Sequence, residues 1–206
     1  MLLIYILISV LPFMLTMECG HQQNLIYVKI PQYRELMSLT EFDKYVVNYE
    51  VSRMYVGMMS ARIPHLNYYS IIKNLTGTSN YRLDTFGETT DVIPQCNRSS
   101  TVLIPASTSL TSPEAIFKLE ETDVIVTFWS SCPTRYLWYM KCARYTGKNK
   151  CHLQDVTFEL YVKTSLDDIP ITDIGEDLCR TTGVRFGANN FRWVFTYGEN
   201  TKCRDI

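Results

Sequence analysis

The sequence contains none of the short motifs that mark common catalytic or nucleotide-binding sites. There is no HExxH, CxxC, GxSxG, phosphate-binding loop or GxGxxG. Its three histidines, His21, His65 and His152, are scattered rather than spaced as metal ligands. His152 beside Cys151 comes nearest to a ligand pair, and no cysteine at CxxC spacing completes it. A charge excess is missing too. Lys and Arg number 20 against 21 Asp and Glu, a formal charge of −1, which argues against a nucleic-acid-binding field. Nothing repeats at a fixed period, so a solenoid or propeller is excluded. The sequence predicts a protein that is not an enzyme and uses neither metal nor cofactor.

A second long apolar run is also lacking. The first, "MLLIYILISVLPFMLTMECG", carries no charge before Glu18. At about 16 residues it falls short of the roughly 20 needed to cross a bilayer, and no basic stop-transfer flank follows. Residues 1–17 therefore read as a signal peptide and 18–206 as one secreted domain with no stable membrane span. A cut after Thr16 or Met17 keeps Cys19 in the mature chain, whereas a cut after Gly20 removes it.

Two sequons, Asn74-Leu75-Thr76 and Asn97-Arg98-Ser99, fit a secreted glycoprotein. So do the cysteines. In an oxidising compartment Cys96, Cys132, Cys142, Cys151, Cys179 and Cys203 are expected in disulfides, each worth roughly 2–4 kcal/mol. Cys19, if retained, is the odd seventh, either free or bridging two chains. The spacing leaves the pairing open.

The 14 tyrosines, with many Val, Ile and Thr, favour sheet over helix. Strands are predicted at Asn24–Ile30, Lys44–Met59, Leu66–Ile72, Tyr81–Phe86, Thr101–Ile104, Arg135–Tyr145, Asp155–Lys163 and Phe191–Gly198. In the second of these, Tyr45, Val47, Tyr49 and Val51 alternate with Val46, Asn48, Glu50 and Ser52. One short helix is expected in "TSPEAIFKLEET". Ser112 would cap it, Pro113 would be its first residue, and Ala115, Ile116 and Leu119 would form its apolar stripe. "DVIVTFW" from Asp123 then turns to strand. The fold class predicted is all-β: a disulfide-stapled antiparallel β-sandwich with one short helix inserted before a central strand. A closed barrel is the second choice.

Charge is segregated along the chain. From Pro133 to Cys151 stand Arg135, Lys141, Arg144, Lys148 and Lys150 with no acid. From Asp155 to Asp177 stand Asp155, Glu159, Asp167, Asp168, Asp173, Glu176 and Asp177 against Lys163 alone. The acidic tract, with Asp123, is a candidate landing site for a basic partner, and the basic segment a candidate for a sulfated glycosaminoglycan. Ordinary solvated faces would give the same pattern.

Four stretches together resemble the poxvirus immune evasion domain, found in secreted poxvirus chemokine-binding proteins and their relatives. They are "CGHQQNLIYVKI" (Cys19–Ile30), "NYYSII" (Asn67–Ile72), "SPEAIFKLEETDVIVTFWSSC" (Ser112–Cys132) and "CHLQDVTFELYVK" (Cys151–Lys163). The resemblance implies a β-sandwich whose inserted helix crosses beside a central strand fastened at Cys132. It also implies a secreted decoy that sequesters a host immune protein, a CC chemokine first. Nothing between Lys29 and His65 matches the chemokine binders' long acidic loop, so class I histocompatibility molecules and other cytokines stand as further ligands. Two other classes compete. One is a lipocalin-like carrier closed around an apolar small molecule, against which stand the missing GxW and the mid-chain helix. The other is an adhesive surface glycoprotein dimerised through Cys19.

Overall fold

The computed structural model of the protein describes residues 20–21, 27–31, 36–56, 65–89, 95–106, 113–146, 150–163, 171–185 and 191–192. Residues 1–17, read above as a signal peptide, and Cys19, Lys148, Asp167, Asp168 and Cys203 lie outside the described residues. In chain order the elements are β1 (Gly20–His21), β2 (Tyr27–Lys29), α1 (Leu39–Tyr45), β3 (Glu50–Val56), β4 (His65–Asn74), β5 (Tyr81–Thr89) and β6 (Cys96–Pro105). There follow β7 (Ile116–Leu119), β8 (Ile125–Trp129), β9 (Tyr136–Cys142), β10 (Lys150–His152), β11 (Val156–Val162), α2 (Ile171–Thr182), β12 (Val184–Arg185) and β13 (Phe191–Arg192).

Each long strand pairs antiparallel with the next, β3 to β4 and on through β5, β6, β7, β8 and β9 to β11, and β11 then pairs back with β3. The expected two-sheet sandwich is corrected by this topology. Every strand from β3 to β9 is hydrogen-bonded to the next, and β11 joins β9 to β3, so one sheet curls and returns on itself as a barrel. Closure is looser at one end. β3 meets β4 only over Glu50–Ser52, while Tyr55 and Val56 pair with β13 on that edge. Two small ribbons, β2 with β10 and β1 with β12, lie beside the barrel sheet.

Period-two alternation sorts the side chains into two cores. Leu83, Leu103, Phe117, Val126, Phe128, Leu137, Tyr139 and Tyr161 face inward. Trp129, Trp138, Met140, Phe158 and Leu160 face outward and are covered by Ile174 and Leu178 of α2 and by Val28 of β2. Trp129 and Trp138, opposite each other in the ladder, stack at 6.2 Å, and Trp138 Nε1 donates to the Ile174 carbonyl at 3.3 Å. Asp177 fastens α2 to the β8–β9 turn. Its carboxylate accepts from the Ser131 amide at 3.0 Å, the Tyr136 hydroxyl at 3.2 Å and Arg180 at 2.6 Å.

The predicted helix after Ser112 is absent; residues 116–119 are β7 instead. Ala115, Phe117 and Leu119 are all buried, a period-two pattern that the Ala115, Ile116 and Leu119 stripe overlooked. The local backbone is also claimed from both sides: Leu39 N–H donates to the Pro113 carbonyl, Ala115 N–H to Met37, and Phe128 N–H to Ala115. The real helices are elsewhere. Leu39–Tyr45 takes the start of the strand predicted from Lys44, and Asn48 at φ 64° breaks the alternation before β3 begins. Residues 171–182 form α2, where only an acidic tract was read; Ile174 and Leu178, one turn apart, supply its buried face.

Candidate functional site

One end of the barrel is closed. Ser38 and Glu41 form a reciprocal capping box that starts α1, with Ser38 N–H donating to Glu41 at 3.0 Å and Glu41 N–H to Ser38 Oγ at 3.2 Å. The short helix lays the fully buried Phe42 across the strand ends. Its ring lies 4.9 Å from both Phe117 and Phe128 and 5.2 Å from Tyr81. Phe128 continues the contact to Tyr139 at 5.3 Å and Tyr161 at 5.9 Å. This aromatic floor fills the closed half. Burial, and then a hydrogen bond with Asp43, push the Tyr81 phenol well above the ordinary tyrosine range.

Toward the other end the same inner face becomes polar. Ser70 and Thr85, opposite each other on β4 and β5, are buried and share a hydrogen bond of 3.2 Å. Ser99 and Thr101 follow on β6, and Lys141, Thr157 and Glu159 on β9 and β11, all on the inward register of Leu103, Tyr139 and Tyr161. Glu159 is buried, Thr101 and Lys141 are half-buried, and Ser99 and Thr157 are exposed. The inner face thus opens to solvent here, at the mouth.

The rim is uneven. β7 pairs with β6 only from Leu103 onward, and Glu120 N–H donates to the Val102 carbonyl at 3.0 Å before the chain turns back through Glu121 at φ 60°. The β5–β6 hairpin continues beyond that turn. A recess of about 280 Å³ lies in the resulting notch, lined by Arg82, Ser100, Thr101, Val102, Glu120 and Glu121. On the hairpin's outer face Arg82 and Arg98 pair with the buried Asp84 at 3.0 and 3.7 Å, and Ser100 hydrogen-bonds the same carboxylate.

The described acids among those proposed as a ligand site do not share a face. Asp155 ends a 3₁₀ turn and pairs with Arg144 at 3.3 Å; Glu159 lies inside the barrel; Asp173 and Glu176 are exposed on α2; Asp177 is buried in the α2 anchor. Asp123 stands in the β7–β8 turn, where a hydrogen bond from Lys118 at 2.9 Å holds its carboxyl below the usual carboxylate range. Strand alternation and the helix disperse what the linear sequence clustered. The basic segment is divided likewise. Arg135 precedes β9 at the closed end, while Lys141 is six positions on, roughly 20 Å away at the strand rise. Arg144 is engaged with Asp155, and Lys150 is on β10.

Cys142 and Cys151 are joined across the loop that leaves β9, and Cys96 and Cys179 are also disulfide-bonded. The expectation for Cys132 is corrected: its thiol is free, 3.6 Å from Thr134 Oγ1 in the β8–β9 turn. Asn74 and Asn97 are both exposed, at opposite ends of the barrel. Among the described residues no group of His, Cys, Asp and Glu could hold a metal ion, and no helix is long and apolar enough to cross a membrane.

Sequence reasoning passed over Phe42, Ser70, Thr85 and Thr101. Serines and threonines at period two with Leu83 and Leu103 were a usable signal. Phe42 carried none, because its role depends on where α1 lands.

The sequence matches no protein-family model and no curated protein. Solved structures do match the fold. Apocrustacyanin C1 superposes with a TM-score of 0.55 at 9% identity, covering 84% of this chain and 93% of that one. For apocrustacyanin C2 the values are 0.54 and 11%, with coverage of 84% and 92%. Lobster apocrustacyanin A1 gives 0.51 and 9%, with coverage of 83% and 92%. None of the three is a poxvirus immune evasion domain; at these identities the likeness shows the fold alone, which is that of a lipocalin-like barrel.

Proposed function

We propose that the protein is a carrier that binds a small amphipathic molecule at the barrel mouth. The observation that supports this reading is the gradient along one continuous inner face. Aromatic rings plugged by Phe42 form the floor, and Ser99, Thr101, Lys141 and Thr157 form a polar rim with access to water above the buried Glu159. An apolar moiety gains by contact with the floor, and a polar head finds donors and acceptors at the rim. Similarity to lipocalin-like folds agrees with this reading. Capture of a basic host protein has less support, because the acids it needs are dispersed among interior, helix and turn.

The test uses the full chain with its disulfides formed. An environment-sensitive probe, N-phenyl-1-naphthylamine, is titrated against it at low and high salt. The expected result is saturable binding with a micromolar Kd that changes little with salt. Replacing Thr101 by Trp fills the rim and is expected to weaken binding by at least tenfold, about 1.4 kcal/mol. Absence of saturable binding, or binding unaffected by Thr101→Trp, overturns the assignment.

A further inference from the structure

Asn97 is the second residue of β6, and its neighbours fix its direction. Arg98 points outward, its guanidinium 5.2 Å from the Phe86 ring centroid and 3.7 Å from Asp84. Leu103 points inward to the aromatic core. Alternation therefore puts Asn97 and Ser99 on the inner face, where both are exposed. Directly opposite Asn97 in the β5–β6 ladder is Gly87, which sets no side chain against it. On its other flank, β7 has already turned away at Leu119. The Asn97 amide is thus exposed while aimed at the mouth.

Asn97-Arg98-Ser99 is an acceptor sequence for N-linked glycan. The disulfide-bonded cysteines suit the oxidising compartment in which such glycans are added. The other sequon differs in place. Asn74 ends β4 at the closed end, where Phe42 already fills the floor.

We propose that Asn97 carries an N-linked glycan whose stem stands at the barrel mouth and restricts access to the inner face. Attachment joins the Asn97 amide nitrogen to the anomeric carbon of an oligosaccharide carried on a lipid pyrophosphate. The bond from that carbon to the pyrophosphate oxygen breaks, the amide gives up one proton, and the lipid pyrophosphate leaves with no change of oxidation state. The gating role rests on the carrier reading; the attachment does not.

The experiment expresses the full chain in a secretory eukaryotic cell and removes N-glycans enzymatically in heavy-oxygen water, which labels each modified asparagine for peptide mass spectrometry. Labelled Asn97 is expected, and unlabelled Asn97 overturns the proposal. Probe uptake is then timed by stopped flow. Asn97→Gln, which destroys the sequon, is expected to speed uptake by about tenfold, and Asn74→Gln to leave it unchanged. Equal rates for all forms overturn the gate while leaving the carrier reading intact. If no form binds probe, including glycan-free Asn97→Gln, the carrier reading fails and the gate with it.

Discussion

The two ends of the barrel are made by the same strands and have opposite chemistry. At the closed end the inward positions are aromatic and α1 adds a further ring, so burial is complete and stability concentrates there. At the mouth the inward positions are hydroxyl and charged groups, Ser99 and Thr157 among them exposed. The difference teaches that alternation alone decides which face a residue takes, whereas its height along the strand decides whether that face serves packing or recognition.

Phe42→Ala strikes the first end hardest. Removing a fully buried ring that touches three others should cost about 3–5 kcal/mol, read as a fall in the denaturant midpoint. A loss under about 1 kcal/mol would show that α1 is not the floor. Thr101→Trp gives the opposite signature, with binding lost and stability little changed. Finding both effects in one variant would dissolve the contrast between the ends.

Asp177→Ala tests the anchor outside the barrel. It strands the Ser131 amide, releases Arg180 and leaves the Tyr136 hydroxyl with Ser131 Oγ alone, and should cost about 1–3 kcal/mol while leaving probe affinity untouched. Altered affinity would mean that α2 reaches the mouth.

The smallest effect is with pH. Burial, with Asp43 beside one phenol and Asp177 beside the other, raises the Tyr81 and Tyr136 hydroxyls above their unfolded value. Their contribution to stability is complete below about pH 10, the unfolded tyrosine value, and is lost as pH rises through the folded values. Absorbance of tyrosinate in the folded protein should therefore lag that of the unfolded chain, and Tyr81→Phe should reduce the lag.

Most of the barrel was legible. Residues around "DVIVTFW", "RYLWYMKC" and "DVTFELYV" alternate, and β8, β9 and β11 lie within the predicted stretches. The helices were not. "FDKYVVNYEV" reads as a strand until Asn48 takes a left-handed backbone, and "ITDIGEDLCRTT" was read for charge although Ile174 and Leu178 stand at helical spacing. The mouth was the least legible part, since Ser70, Thr85 and Thr101 look like ordinary strand residues until the sheet curls and places them inside.

By itself the sequence determined a mostly β chain with disulfides and no metal or nucleotide motif, because period, composition and cysteine content are local quantities. The tertiary structure alone decided sandwich against barrel, floor against mouth, and which acids share a surface. Those depend on whether β11 returns to pair with β3. That pairing joins residues about a hundred positions apart, Val162 with Ser52, and no local pattern encodes it.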